Sequence, residues 1–119
     1  PDEEEMRKQL TDYQQLQQQL QLVLMQKQQT GLQLQELGKA KESLAKSAGG
    51  PTYRFVGAFF IPKEKGQLEK EIEEEKEGLA LRQKSLEKQE EKLTERLESI
   101  KKWFDKLQKQ GGENAKISS

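Results

Sequence analysis

The sequence predicts a mainly α chain, a long antiparallel two-helix coiled coil with a β-hairpin at its centre. Three observations predict it. Apolar residues recur every seven positions in two separate stretches of the 119 residues. A short aromatic and β-branched block, fenced by glycine and proline, lies between them. Hydrophobic residues make up 31% of the chain and charged residues 35%, against about 45–50% and about 25% in globular domains. Too little apolar surface is present for a thick core. Disorder and helices that bury a narrow stripe both fit such a composition. The seven-residue phase, kept over about six heptads, decides for helices, because a disordered tract has no reason to keep it.

The first helix is expected over residues 2–48. It contains no Pro, and glutamine dominates it. One column seven apart holds Met6, Tyr13, Leu20, Lys27, Leu34 and Lys41. Its companion, three residues on, holds Gln9, Leu16, Val23, Thr30, Leu37 and Leu44. Together these are the two columns of a coiled-coil seam. Lys27, Thr30 and Lys41 interrupt it, and such polar gaps weaken packing but fix register against a matching polar partner.

Residues 49–63 form the hairpin. Gly49, Gly50 and Pro51 end the helix, since Gly accepts a left-handed cap and Pro cannot continue the ladder. Tyr53 to Val56 and Phe59 to Ile61 are strand formers. Gly57 suits the first central position of a type II′ turn. Three of the four Phe residues in the chain, Phe55, Phe59 and Phe60, sit in this block. A lone two-stranded hairpin is barely stable in water, so one this apolar reads as an assembly element.

The second helix is expected over residues 64–110. Ile72, Leu79, Leu86, Leu93, Ile100 and Leu107 keep strict intervals of seven. The companion positions change along the helix, from Leu68 to Glu75, Arg82, Gln89 and Arg96 and then Trp103, and Leu97 and Phe104, one step over, widen the stripe near the end. Glu and Lys three and four apart between these columns support an exposed helix. Residues 111–119 read as a disordered tail. Each helix is then roughly 65–70 Å long at 1.5 Å per residue. Folding the chain about Gly57 brings Leu44 to Leu68, Leu34 to Leu79, Leu20 to Leu93 and Tyr13 to Ile100. Lys27 falls near Leu86, and Thr30 falls level with Arg82. Both chain ends meet at one tip, where Met6, Leu10, Trp103, Phe104 and Leu107 gather. These residues either zip the coil shut or stay exposed as an adaptable apolar surface, and a loosely closed tip does both.

Composition excludes several functions. Lys and Arg total 21 and Asp and Glu total 21, a neutral balance that offers no general attraction to phosphate or anionic lipid. Without Cys or His, disulfides, ordinary zinc sites and His- or Cys-based triads cannot be built. Lys101, Lys102 and Lys106 flank Trp103, a pattern that can hold single strands, but Glu98 and Asp105 interrupt the patch. Carboxylate runs such as Glu73-Glu74-Glu75 read as a solvated face, because acid–base catalysis needs a pocket that shifts pKa values. No Gly-rich phosphate loop precedes a helix. No cofactor is expected, no metal and no enzymatic activity. No apolar run approaches the ~20 residues of a membrane span, and the N-terminus does not read as a signal peptide. A soluble cytoplasmic protein with neither nucleic-acid nor membrane partners is the expectation.

Three stretches carry a resemblance. Tyr13-Gln14-Gln15-Leu16-Gln17-Gln18-Gln19 with Gln26-Lys27-Gln28 resembles the first helix of prefoldin beta-type subunits. Tyr53-Arg54-Phe55-Val56-Gly57 is similar to that family's first strand, and Leu81 to Lys92 to its second helix. The likeness covers roughly Arg7 to Leu107 in order. A single hairpin points to the archaeal-like beta class. Pro62 stands where the family's second strand usually continues, so a short strand is expected. The resemblance implies a hexamer of two alpha and four beta subunits, whose hairpins join into β-barrels and remove open strand edges. It implies that the coil tips hold unfolded polypeptides and hand them to a group II chaperonin without ATP. On that footing Tyr53, Phe55, Val56, Phe59, Phe60 and Ile61 are assembly residues. Met6, Leu10, Trp103, Phe104 and Leu107 are client contacts. The alternative is a structural or filament-forming coiled-coil protein without client binding.

Overall fold

Seven-residue periodicity on each side of a strand-forming block gives two helices around one hairpin. The computed structural model describes residues 2–118, with side chains for residues 2–111. Its elements are α1 (Glu3–Lys46), β1 (Tyr53–Val56), β2 (Phe59–Pro62) and α2 (Lys65–Ser118). The chain divides into two compact units, Pro1–Met25 with Leu86–Ser119, and Gln26–Ser85.

In the first unit, Asp2 caps α1. Its Oδ1 accepts from the Glu5 amide at 2.8 Å, and its carbonyl accepts from the Met6 amide at 3.2 Å. The first bond satisfies one of the donors that every helix start leaves open, and the second is the first regular bond of the helix. Glu3, Glu4 and Glu5 place negative charge in the first turn, where the helix dipole favours it. Leu16, Val23, Leu86 and Leu93 form the buried core, with Leu20, Leu97 and Ile100 packed against it. Leu16 and Val23 come from the companion column of α1, and Leu86 and Leu93 from the strict column of α2, as the heptads predict.

The companion column of α2 holds at its ends, with Leu68 buried and Glu75 and Trp103 half-buried, but departs from the expected one between Arg82 and Arg96. Arg82, Gln89 and Arg96 are exposed, whereas Lys76, Gln83, Glu90, Leu97 and Phe104 are half-buried. The seam runs one residue later, so each companion precedes its strict-column neighbour by three positions. Polar residues hold the column from Lys76 to Glu90, and hydrophobicity alone does not reveal the phase there. Only Leu97 and Phe104 betray it.

In the second unit the seam carries a polar layer. Thr30 is 2% exposed, and its hydroxyl donates to the Gln26 carbonyl at 2.8 Å. Gln83, rather than Arg82, reaches across, its Nε2 donating to the Lys27 carbonyl at 3.0 Å. Gly31 lies beside the amide: a Cβ there would sit in ordinary contact, 3.6 Å from Gln83 Nε2. Gln83 Oε1 is buried without a hydrogen-bond partner.

At the end of α1 the Ser47 amide and hydroxyl both donate to the Leu44 carbonyl, at 3.2 and 2.8 Å. Gly49, at φ 68°, then turns the chain out of the helix. The strands pair antiparallel in the register Tyr53↔Pro62, Arg54↔Ile61, Phe55↔Phe60 and Val56↔Phe59. The loop is the two residues Gly57 and Ala58, with Gly57 at φ 62° and no non-glycine residue at positive φ. A type I′ turn needs positive φ at both positions, so II′ is the type that fits.

The second strand includes Pro62. Hydrogen-bonded pairs alternate with non-bonded ones, and the Lys63 amide donates to the Thr52 carbonyl at 3.0 Å. That bond makes Thr52–Lys63 a bonded pair and Tyr53↔Pro62 a non-bonded one. The missing proline N–H falls where no bond is required, which is why the strand does not stop short of Pro62. α2 is described as far as Ser118, and the last residue of the tail expected over residues 111–119 lies outside the described residues.

Candidate functional site

Two apolar surfaces stand out, one in each unit. The first is the hairpin. Strand alternation puts Tyr53, Phe55, Phe60 and Pro62 on one face and Arg54, Val56, Phe59 and Ile61 on the other. All six of the aromatic and branched residues singled out in the sequence are exposed: Phe59 at 74%, Phe60 at 70%, Phe55 at 62%, and Tyr53, Val56 and Ile61 at 41–52%. Isolated exposed apolar residues are ordinary, but a contiguous cluster this size marks an interaction surface. The Phe55 and Phe60 rings lie 4.9 Å apart, as expected for a non-bonded pair, whose side chains approach closely.

Charges hold the hairpin to α2. Arg54 Nη1 donates to Glu71 Oε2 at 2.8 Å, and its Nη2 to Glu75. Glu71 also accepts from Lys63 Nζ, so both hairpin cations converge on one turn of α2. Glu75, then Glu71, hold the Arg54 guanidinium further in its charged form. The Lys63 ammonium, followed by Arg54, pulls the Glu71 carboxyl below its usual value, against a smaller opposing effect of burial. Glu73 is pulled down likewise by the Lys41 ammonium of α1. Thr52 and Lys63 close the open end of the hairpin through the amide bond above and a hydroxyl bond to the Lys63 carbonyl. Sequence spacing does not reveal this network, because it depends on how the hairpin is turned relative to α2.

Beside the hairpin lies a groove of about 880 Å³. Leu37 and Ala40 of α1, Leu79 of α2 and Phe55 of β1 give it an apolar lining, and Glu36 and Glu75 supply its charge.

The second surface is in the first unit. Met6 and Leu10 are 44% and 50% exposed, while Trp103, Phe104 and Leu107 are half-buried. The Trp103 and Phe104 rings pack edge to face at 5.0 Å. Trp103 shares a shallow hollow with Gln9 and Asp12 of α1 and Arg96, Ser99 and Ile100 of α2. The aromatics therefore half-close this part of the helix pair, and the α1 residues Met6 and Leu10 stay outside the seam.

Apolar residues missed by the heptad argument are also exposed: Leu22, Leu24 and Met25 in the first unit, and Leu32 and Leu81 in the second. Their signal was available, since each is a large apolar residue off the seam columns. Among the described residues no group of three or more His, Cys, Asp or Glu could hold a metal ion. No helix there is long and apolar enough to cross a membrane.

Comparison with known proteins gives a family and a similar solved structure. The family described as prefoldin subunit matches residues 7–111. A solved structure of the prefoldin beta subunit from Thermococcus strain KS-1 superposes with a TM-score of 0.80 at 32% sequence identity, covering 87% of this chain and 91% of that one. No curated protein sequence matches.

Proposed function

The chain belongs to the prefoldin subunit family, and from that premise we propose that it is a beta-type holdase subunit. Prefoldin is a chaperone family rather than an enzyme family, and membership implies assembly with other prefoldin subunits. In the proposed assembly, alpha-type subunits and further beta subunits join through Tyr53, Phe55, Val56, Phe59, Phe60 and Ile61, whose strands close into a barrel. Unfolded polypeptides are held, without ATP, by Met6, Leu10, Trp103, Phe104 and Leu107, and passed to a group II chaperonin in the cytoplasm.

The observation that carries the assembly role is the exposure of Phe59 and Phe60, 74% and 70%, on a hairpin anchored by Arg54. So much aromatic surface in water is unfavourable, and burial against neighbouring subunits relieves it. For the holding role, the support is a half-closed apolar end that combines Met with a Trp–Phe pair. Such side chains accept varied partners without demanding one shape.

The test changes Phe59 and Phe60 to Ser. Assembly with an alpha-type subunit is expected to be lost while helicity by circular dichroism survives. Intact oligomers by light scattering would remove the hairpin's assembly role. An oligomer that forms but holds no client would favour the structural or filament-forming alternative.

A further inference from the structure

The hairpin is joined unevenly to its two helices. Residues 47–52 separate α1 from β1, and Gly49 and Gly50 lie among them. A Cβ at either glycine would meet nothing within 4 Å, so no packing stiffens that link. Only Lys63 and Glu64 separate β2 from α2. Close packing does not fix the hairpin either. A hollow of about 280 Å³ lies between it and the helices, lined by Tyr53 and Phe55 on one side and Leu44, Leu68 and Ile72 on the other. A space of that size interrupts the dense packing that holds interior side chains in one place.

Charge is what remains. Residues 52–63 hold two cations, Arg54 in β1 and Lys63 just after β2, and no acidic residue. Both cations go to α2: Glu71 accepts from both, and Glu75, one turn on, accepts from Arg54. Glu71 therefore ties the two strands at one point, and Glu75 stops them turning about it. Isolated exposed ion pairs contribute little, but these are connected through one Arg fork, and their side chains are 23–41% exposed.

We propose that Arg54 is a positioning residue for assembly: with Lys63 it clamps the free hairpin to Glu71 and Glu75 in the orientation that docks on partner hairpins. The inference rests on the assembly role proposed above and adds what sets its rate. An unclamped hairpin spends only part of its time in the docking orientation, and association slows by that fraction. Once neighbours surround the strands they hold the hairpin themselves, so loss of the clamp changes dissociation little. Salt weakens part-exposed ion pairs, whereas it does not weaken apolar burial. Docking through an apolar hairpin thereby acquires a salt dependence that the apolar contact itself lacks.

Association of the labelled full chain with an alpha-type subunit is followed by stopped-flow fluorescence, and dissociation by chase with unlabelled chain. Arg54→Gln is expected to slow association on the order of fivefold at low salt, with helicity and the dissociation rate unchanged. Added salt slows the unmodified chain towards the variant and leaves the variant nearly where it was. Arg54→Lys, a point charge that reaches one carboxylate but not both, recovers part of the rate. The control is Lys41→Gln, which removes the same charge from the Lys41–Glu73 pair away from the hairpin and keeps the unmodified rate. The clamp is overturned if Arg54→Gln associates at the unmodified rate, if it speeds dissociation as much as it slows association, or if Lys41→Gln slows association equally. Should Phe59→Ser with Phe60→Ser block assembly in the same assay, the proposed function survives and only the clamp falls. Should that double variant assemble, both fall.

Discussion

Replacing Gln83 by Met is expected to stabilise the protein, although it deletes a hydrogen bond. In the polar layer of the second unit, Gln83 Nε2 donates to the Lys27 carbonyl at 3.0 Å, while Oε1 is buried with no partner. The bond contributes about 0.5–1.5 kcal/mol net, whereas a buried unsatisfied polar atom costs about 1–3 kcal/mol. Losing the bond leaves no new orphan, because a helical carbonyl at Lys27 also accepts from the amide four residues on. Met has nearly the length of Gln and adapts to the space beside Gly31. The midpoints of these ranges leave a gain of about 1 kcal/mol, a rise in Tm of roughly 4 °C for a chain of this size. Thermal melts by circular dichroism, with urea titrations to check that the slope is unchanged, measure it. A lower Tm for Gln83→Met would show that the amide is fully satisfied and that the layer stabilises the fold.

Two further outcomes are expected. Leu86→Ala should lower stability by about 2–4 kcal/mol, because the side chain sits in the small buried cluster with Leu16, Val23 and Leu93; Leu81→Ala, at a 69% exposed position, should change it by less than about 0.5 kcal/mol, and equal effects in urea titrations would contradict the core assignment. Acid should loosen the hairpin: the Glu71 carboxyl is held below its ordinary value of 4.5, so its contribution is present in full above that pH and is lost as pH falls through the lowered value. Amide exchange of residues 53–62 followed down a pH series should show protection falling below about pH 4.5, with a smaller change in Arg54→Gln, and an identical profile in that variant would dismiss the network as the anchor.

Much of this fold is visible in the sequence because coiled coils write their packing into a repeat. In α1 both columns are apolar often enough to fix the phase, and Leu16 and Val23 fall in the core where the spacing puts them. In α2 only one column is apolar between Ile72 and Leu93. A single column fixes the period but leaves its companion free to lie on either side, which is why Gln83 and not Arg82 completes the polar layer. The hairpin is legible because Gly57 and the strand formers act locally. Its anchor is not, since Arg54, Lys63, Glu71 and Glu75 meet through tertiary geometry. The same holds for the groove, whose lining comes from three elements. Pro62 was legible as a residue that breaks strands, and only the observed register shows that it sits where no amide is needed.

Aggregation of a chemically unfolded protein, diluted without nucleotide in the presence of the assembled oligomer, tests client holding most directly. Light scattering should be suppressed at about one oligomer per client, and deleting residues 1–12 and 101–119 should abolish suppression while the oligomer persists. No suppression by a verified oligomer would contradict the holdase function, and undiminished suppression after the deletion would move client binding away from Met6, Leu10, Trp103, Phe104 and Leu107.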